Sequence, residues 1–286
     1  MPYPKPQNTL YKKSGYLESD FKLFHLKDSF RQTFDFHYHD FHKILIFLSG
    51  NASYIIEGRQ YDLHPCDMLL IRAGDIHKPV IRKGAAYERI ILYLSPRFFT
   101  ENSSAHTDLF HCFESVKERQ SCLIRLKTSE HTPLLTLIKE LPAALRNQEF
   151  GADLYQKAKL LEYLILLNRT VQTRQADYSP PATAHPVILS VMEYINNHIT
   201  EDLSIDTIAG SMFLNRSYLM HLFKSETGCT IGKYITEKRL FLTGQYRNQG
   251  YSVTEACYKS GFKNYASFYH ASRKKQQTSR KIKTAD

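Results

Sequence analysis

The sequence predicts an α+β, multidomain chain: a β-barrel or sandwich, a helical extension, and an all-α domain built from two helix-turn-helix units. Three observations carry this. Short apolar runs separated by turn signals fill residues 21–94. Apolar residues recur at helical period from about 103 onward. The last hundred residues repeat one helix, turn, helix grammar.

At 286 residues the chain suits two domains. With 42% hydrophobic and 23% charged residues it is globular rather than low-complexity. The net charge is +10, which fits a nucleic-acid or other anionic partner. Residues 187–286 carry a net +6 of it, and Arg273, Lys274, Lys275, Arg280, Lys281 and Lys283 crowd the end. The five cysteines form no CxxC pair, which argues against a disulfide framework or zinc finger and suits a reducing cytoplasm. The opening MPYPKPQNTL has no apolar core of a signal peptide, and no apolar run is long enough to span a bilayer, so no membrane partner is expected.

In the N-terminal part, ILIFL at 44–48, YII at 54–56, MLLI at 68–71, PVI at 79–81 and RIILYL at 89–94 read as strands. Ser49-Gly50-Asn51, Glu57-Gly58, His64-Pro65, Ala73-Gly74-Asp75 and Lys83-Gly84 read as the turns between them. Leu134, Leu137, Ile138 and Leu141 then form one helical stripe, expected to be interrupted at Pro142. Leu154, Ala158, Leu161, Leu164, Ile165 and Asn168 form another, thickened by Leu160, Leu166 and Leu167. So much apolar surface implies a deeply buried helix or a subunit contact, and a homodimer is expected from it. The proline-rich stretch 176–186 is the linker candidate. The expected domains are therefore 1–100, a barrel; 101–175, a helical, dimerising extension; 176–186, a linker; and 187–286, the helical domain.

Within that last domain, Ser204 to Ala209 matches Ser252 to Cys257 at an offset of 48, and from Asn215 and Asn264 the offset is 49. Each copy starts with a Ser placed as an N-cap, turns, and starts a second helix near its Asn. The stripe Ile231, Tyr234, Ile235, Lys238, Leu242 and Tyr246 joins the copies by a long helix. Two plain helical hairpins would give the same pattern; the duplication and the basic excess favour a unit that places its second helix in the major groove of double-stranded DNA.

Asp202-Leu203-Ser204, Ala209, Tyr218-Leu219, Leu222-Phe223-Lys224, Glu226-Thr227-Gly228, Tyr234-Ile235, Arg239-Leu240, Tyr258-x-x-Gly261-Phe262 and Ser267-Phe268-Tyr269 resemble the AraC-type (arabinose-regulator) DNA-binding domain. Phe36 to Lys43, Leu48-Ser-Gly50 and Asp75-Ile-His77-Lys-Pro79 resemble that family's cupin-like sensor barrel. The resemblance implies a transcriptional regulator that senses a small effector, such as a sugar or related metabolite, pairs subunits and engages RNA polymerase. The chain departs from the family pattern at Thr243, Gly244 and Cys257. Ser272 stands where a buried Phe is expected, and the closing Gly-x-x-Pro is absent.

Helical spacing places Arg216, Ser217, Met220 and His221 on one outward face of the first reading helix, and Tyr265, Ala266, Tyr269 and His270 on that of the second. The resemblance implies base-reading roles at Ser217, Met220, His221, Ala266, Ser267 and His270. Lys224, Arg273 and Lys274 suit phosphate. In the barrel, His37, His39, His42, His77 and Tyr54 are the expected effector pocket. The resemblance puts His37, His39 and His77 at cupin metal positions. Lys43, however, stands where a Glu ligand is usual, and its cation would repel an ion. No metal and no cofactor is therefore expected. The rival reading, a cupin-type metal-dependent enzyme with a helical appendage, suffers from the same Lys43; a DNA-bending protein would have no need of a sensor barrel.

Overall fold

The computed structural model describes residues 12–13, 17, 19–29, 34, 36–81, 86–127 and 132–273. The tail Lys274–Lys283 cations and the Lys83-Gly84 turn lie outside these. The N-terminal half contains strands β1 (Lys12–Lys13), β2 (Phe21–Ser29), β3 (His37–Tyr38), β4 (His42–Gly50), β5 (Ala52–Ile56), β6 (Arg59–Asp62), β7 (Met68–Ile71), β8 (His77–Ile81) and β9 (Ala86–Leu94). Next come helices α1 (Pro96–Asn102) and α2 (His111–Arg119), strand β10 (Leu123–Leu126), helices α3 (Pro133–Arg146) and α4 (Ala152–Gln172), and strands β11 (Ala176–Ser179) and β12 (Thr183–Ala184). The rest is helical: α5 (Pro186–Asn197), α6 (Ile205–Ser211), α7 (Arg216–Thr227), α8 (Ile231–Asn248), α9 (Val253–Lys259) and α10 (265–273).

The strands form two six-stranded sheets, ordered β1-β3-β8-β5-β6-β12 and β11-β10-β7-β4-β9-β2. β4 is paired on both sides, by β7 and β9, and its residues from His42 to Phe47 are all buried, which explains the unbroken ILIF run. β5 alternates buried and half-buried residues, as a strand with one covered face should. The core between the sheets contains Ile44, Ile46, Met68, Leu70, Ile90 and Leu92, and it continues into α3 and α4 through Leu137, Ile138, Leu141, Leu160 and Leu164. Asn168 on α4 satisfies itself inside this core. Its side chain accepts from the Cys112 amide at 2.8 Å and donates to the Leu109 and Leu164 carbonyls.

Three expectations are corrected here. Residues 123–126, expected in the helical extension, form β10, because LIRL pairs with β7 on one side and β11 on the other. Pro142 does not interrupt its helix: α3 runs through it to Arg146. Residues 176–186 are no free linker. β11 pairs with β10 and β12 pairs with β6, so the segment extends both sheets, and α5 starts at Pro186. Composition announces a linker there, but backbone pairing consumes the segment. The apolar helix α4, expected to be deeply buried or a subunit contact, spends part of its apolar face internally: Leu160, Leu164 and Leu167 are fully buried in their own subunit.

Candidate DNA interface and effector site

The first helix-turn-helix unit begins where Ser204 accepts the Thr207 amide at 2.9 Å and starts α6. Phe213 turns the chain with φ +55, and the Asn215 side chain caps α7 by accepting the Ser217 amide at 2.8 Å. That cap sets the helix phase. Leu219 and Phe223 enter a core with Ile208, Ala209 and Tyr234, while Arg216, Ser217, Met220, His221 and Lys224 are exposed. Arg216 pairs with Asp206 at 2.5 Å, an exposed contact of small energetic weight.

The second unit repeats the plan. Ser252 and Glu255 form a capping box at α9. Gly261 takes φ +87, and a Cβ there would stand 2.6 Å from the Ile199 carbonyl oxygen, so only glycine makes this turn. Asn264 accepts the Ser267 amide at 2.8 Å, as Asn215 does for Ser217. Phe262 and Phe268 point inward, onto Leu240 and Cys257; Tyr265, Ala266, Ser267, Tyr269, His270 and Arg273 are exposed. Every base- or phosphate-facing candidate among the described residues is thus on the solvent side of α7 or α10; Lys274 lies beyond them. A cleft of about 540 Å³ lies beside this second core, lined by Leu240, Thr243, Val253, Phe268 and Ser272 among others.

In the barrel, His37 on β3 is paired with His77 on β8. His37, His39 and His77 place one ring nitrogen each within 4.8 Å of one another. Tyr54 stacks over His77 at 6.2 Å and takes a 3.3 Å hydrogen bond from the Lys43 amine. Burial, helped by Arg89, brings the Lys43 pKa down to about 7, so this amine is not the fixed cation that its residue type suggests. The His42 ring lies apart from these three. It packs among Phe99, Phe110 and Phe113, its Nδ1 accepts the Ala73 amide at 3.2 Å, and burial next to Arg72 brings its pKa to about 3.

The barrel and the helical domain are joined by a polar node that sequence reading missed. The Glu57 carboxylate accepts from the Ile76 amide at 2.7 Å, the Tyr234 hydroxyl at 2.5 Å and the Lys238 amine at 2.9 Å. Tyr38 donates to Glu237 at 2.5 Å; burial, reinforced by that carboxylate, pushes its pKa well up and keeps its proton on. Gly74 lies against the Phe241 ring, and Phe36, Tyr38 and Ile76 belong to the same buried cluster as Ile188, Tyr234 and Ile235. Beside the node, a cleft of about 480 Å³ opens between Arg59, Arg72, Asp75, Glu193 and Gln245. In the sequence Glu57 reads only as a turn residue, and Lys238 only as one member of a helical stripe.

Residues 25–164 match the family model of the AraC-like ligand binding domain, and residues 208–279 match a helix-turn-helix domain. This chain belongs to the AraC-type family of transcriptional regulators. The HTH-type transcriptional activator RhaS of Enterobacter sp. (strain 638) is 24% identical over 232 residues, which cover 79% of this chain and 78% of that protein. The RhaS of Shigella sonnei (strain Ss046) is 24% identical over 231 residues, with the same coverage. Among solved structures, ToxT from Vibrio cholerae covers 88% of this chain and 93% of its own, at 16% identity and a TM-score of 0.35. This AraC-type regulator is thus a DNA-binding transcription regulator with a ligand-binding domain. None of its described helices is long and apolar enough to cross a membrane.

Proposed function

We propose that this regulator works as a cytoplasmic homodimeric activator that is not an enzyme, reads duplex DNA with α7 and α10, and senses a small effector in its barrel. One observation carries the reading: two capped helices, in equivalent settings and joined by α8, turn equivalent polar faces to solvent. Arg216, Ser217, Met220 and His221, with Tyr265, Ala266, Ser267 and His270, are assigned to base edges. Lys224, Arg273 and Lys274 are assigned to phosphates. His37, His39, His77 and Tyr54 are assigned to the effector.

The Glu57 and Tyr38 contacts support a restraint by which the effector-binding unit sets the pose of α8, and so of both reading helices. The partly covered residues of α4, Leu161, Ile165 and Leu166, together with exposed Leu154 (68%) and Tyr155 (46%), support an isologous contact with a second copy. A dimer so built presents four reading helices and leaves the surface of the helical domain for RNA polymerase. Footprinting on the regulator's own upstream region tests this. Two protected major-groove segments per chain are expected, with affinity falling steeply as salt rises. A footprint of one segment, or a salt slope near zero, would overturn it.

A further inference from the structure

We propose that Arg239 of α8 and the loop 198–203 between α5 and α6 hold the two helix-turn-helix units at a fixed offset, and so decide which spacing of two DNA segments one chain can read. The proposal rests on the reading that α7 and α10 both enter the duplex, and it names the positioning residues for that reading.

The two units have separate cores. Leu219, Phe223 and Tyr234 belong to one; Leu240, Cys257, Phe262 and Phe268 form the other. α8 runs through both, but one helix between two cores lets the second swing as that helix bends. A second connection closes the pair into a frame. Arg239 is only 8% exposed. Its Nε donates to the Ile199 carbonyl at 2.9 Å, and a terminal nitrogen donates to the Glu201 carbonyl at 2.6 Å. The planar guanidinium fork thereby ties two carbonyls of one loop to α8. Burial works against its charge, and the Asp202 carboxylate favours it. The loop is rooted in the first unit, because Ile199 and Leu203 pack on that unit's core.

The second unit rests on the same loop. A Cβ at Gly261 would stand 2.6 Å from the Ile199 carbonyl oxygen and 2.7 Å from the Thr200 Cα, so the turn backbone lies directly on the loop backbone. Lys263 pairs with Asp202 at 2.6 Å. Asn264, three residues after Gly261, then caps α10. The helix that reads the second segment therefore starts from a turn seated on the first unit. The exposed Lys263 pair adds little by itself. Buried Arg239 and the close backbone approach carry the restraint. Its consequence is read on DNA. One base pair added between the two segments moves the second by ~3.4 Å and turns it by ~34°. A rigid frame cannot follow that displacement, whereas a hinge can.

The test uses the full-length protein. Duplexes that the wild type selects from a random pool are remade with one base pair added or removed between the two protected segments. Wild-type affinity should fall about tenfold or more for either change, because the second unit loses its segment. Arg239→Gln should cut that penalty to about twofold, with affinity for the first segment alone unchanged. Arg239→Lys keeps the buried cation but not the fork, so its penalty should fall between the two; it takes over if the glutamine variant is unfolded. Spin labels read the frame without DNA. They are placed by Ser225→Cys and Ala266→Cys, exposed positions of α7 and α10, in a Cys66→Ser background, since the other four cysteines are buried. The distance distribution should be narrow in otherwise wild-type protein and broadened by Arg239→Gln. A folded Arg239 variant that keeps the wild-type spacing penalty, or the wild-type distance distribution, overturns the proposal. A wild type that protects only one segment overturns the two-helix reading instead, and the spin-label distances still decide the frame.

Discussion

Replacing Ser272 with phenylalanine should stabilise the second helix-turn-helix unit selectively. Position 272 lies four residues after Phe268, on the same face of α10, and lines a cleft together with Leu240, Thr243 and Val253. The core it would join is small: Leu240, Cys257, Phe262 and Phe268, with Val253 and Ala271 against them. A fully buried phenylalanine is worth about 1.5–3 kcal/mol over an exposed one. Ser272 is half-buried, so roughly half of that, ~0.75–1.5 kcal/mol, is expected. On a unit that melts independently this corresponds to a rise of roughly 5–10 °C. Amide exchange is the assay of choice, because it reads the two units separately. Protection across 253–273 should rise about three- to twelvefold, while protection across 205–227 stays the same. If protection in α9 and α10 is unchanged or falls, the cleft is not the seat of a missing anchor, and the reasoning about the second core fails.

The remaining predictions concern binding, assembly and pH. His221→Ala should cost ~1–3 kcal/mol on the cognate site and relax preference at one base, whereas Lys224→Ala should weaken cognate and random DNA alike; identical behaviour on both DNAs would mean that the face of α7 is misassigned. Leu161→Glu with Ile165→Glu should give folded monomers by sedimentation, and wild-type protein that is already monomeric at micromolar concentration sinks the dimer. Leu164→Glu is expected to unfold the barrel domain instead, because Leu164 is fully buried in its own chain. His42 is neutral when folded, with its pKa brought from 6.5 to about 3, so the unfolded chain binds a proton that the folded chain refuses between those values. Stability should therefore fall as pH drops from about 6.5 toward 3, and urea midpoints for His42→Asn should fall less steeply; an unchanged slope would show that His42 is not responsible. Glu57→Gln should loosen the barrel from α8, read as faster exchange at 231–240, with the barrel itself intact.

The helical half was the most legible because its signals are local. Ser204, Asn215, Ser252 and Asn264 all cap the helices that their spacing announced, and the one-residue change of offset falls in the turn at Gly261. The strands of the barrel were legible for the same reason, since each run is bounded by its turn. What sequence could not supply was pairing at a distance. β10 and the strands at 176–179 and 183–184 owe their form to partners fifty or more residues away, and their composition looks like helix or linker. His42 illustrates the same gap on a smaller scale. It is three residues from His39, yet its ring sits in an aromatic cage of α1 and α2 rather than with the other imidazoles. Glu57 was invisible because nothing in a turn dipeptide reports that a helix 177 residues later will close on it.

The absence of slack at the junction has a consequence for how such proteins can be recombined. β12 ends at Ala184 and α5 starts at Pro186, which leaves His185 alone between a strand paired to the barrel and a helix of the reading domain. A graft cut at 175, where composition suggests a hinge, would carry two edge strands away with the wrong partner and expose the edges of both sheets they complete. A sensor can be exchanged for another only by cutting at His185 and bringing a matching seat for α8 with it, so the two halves of this chain are inherited as a fitted pair rather than as interchangeable parts.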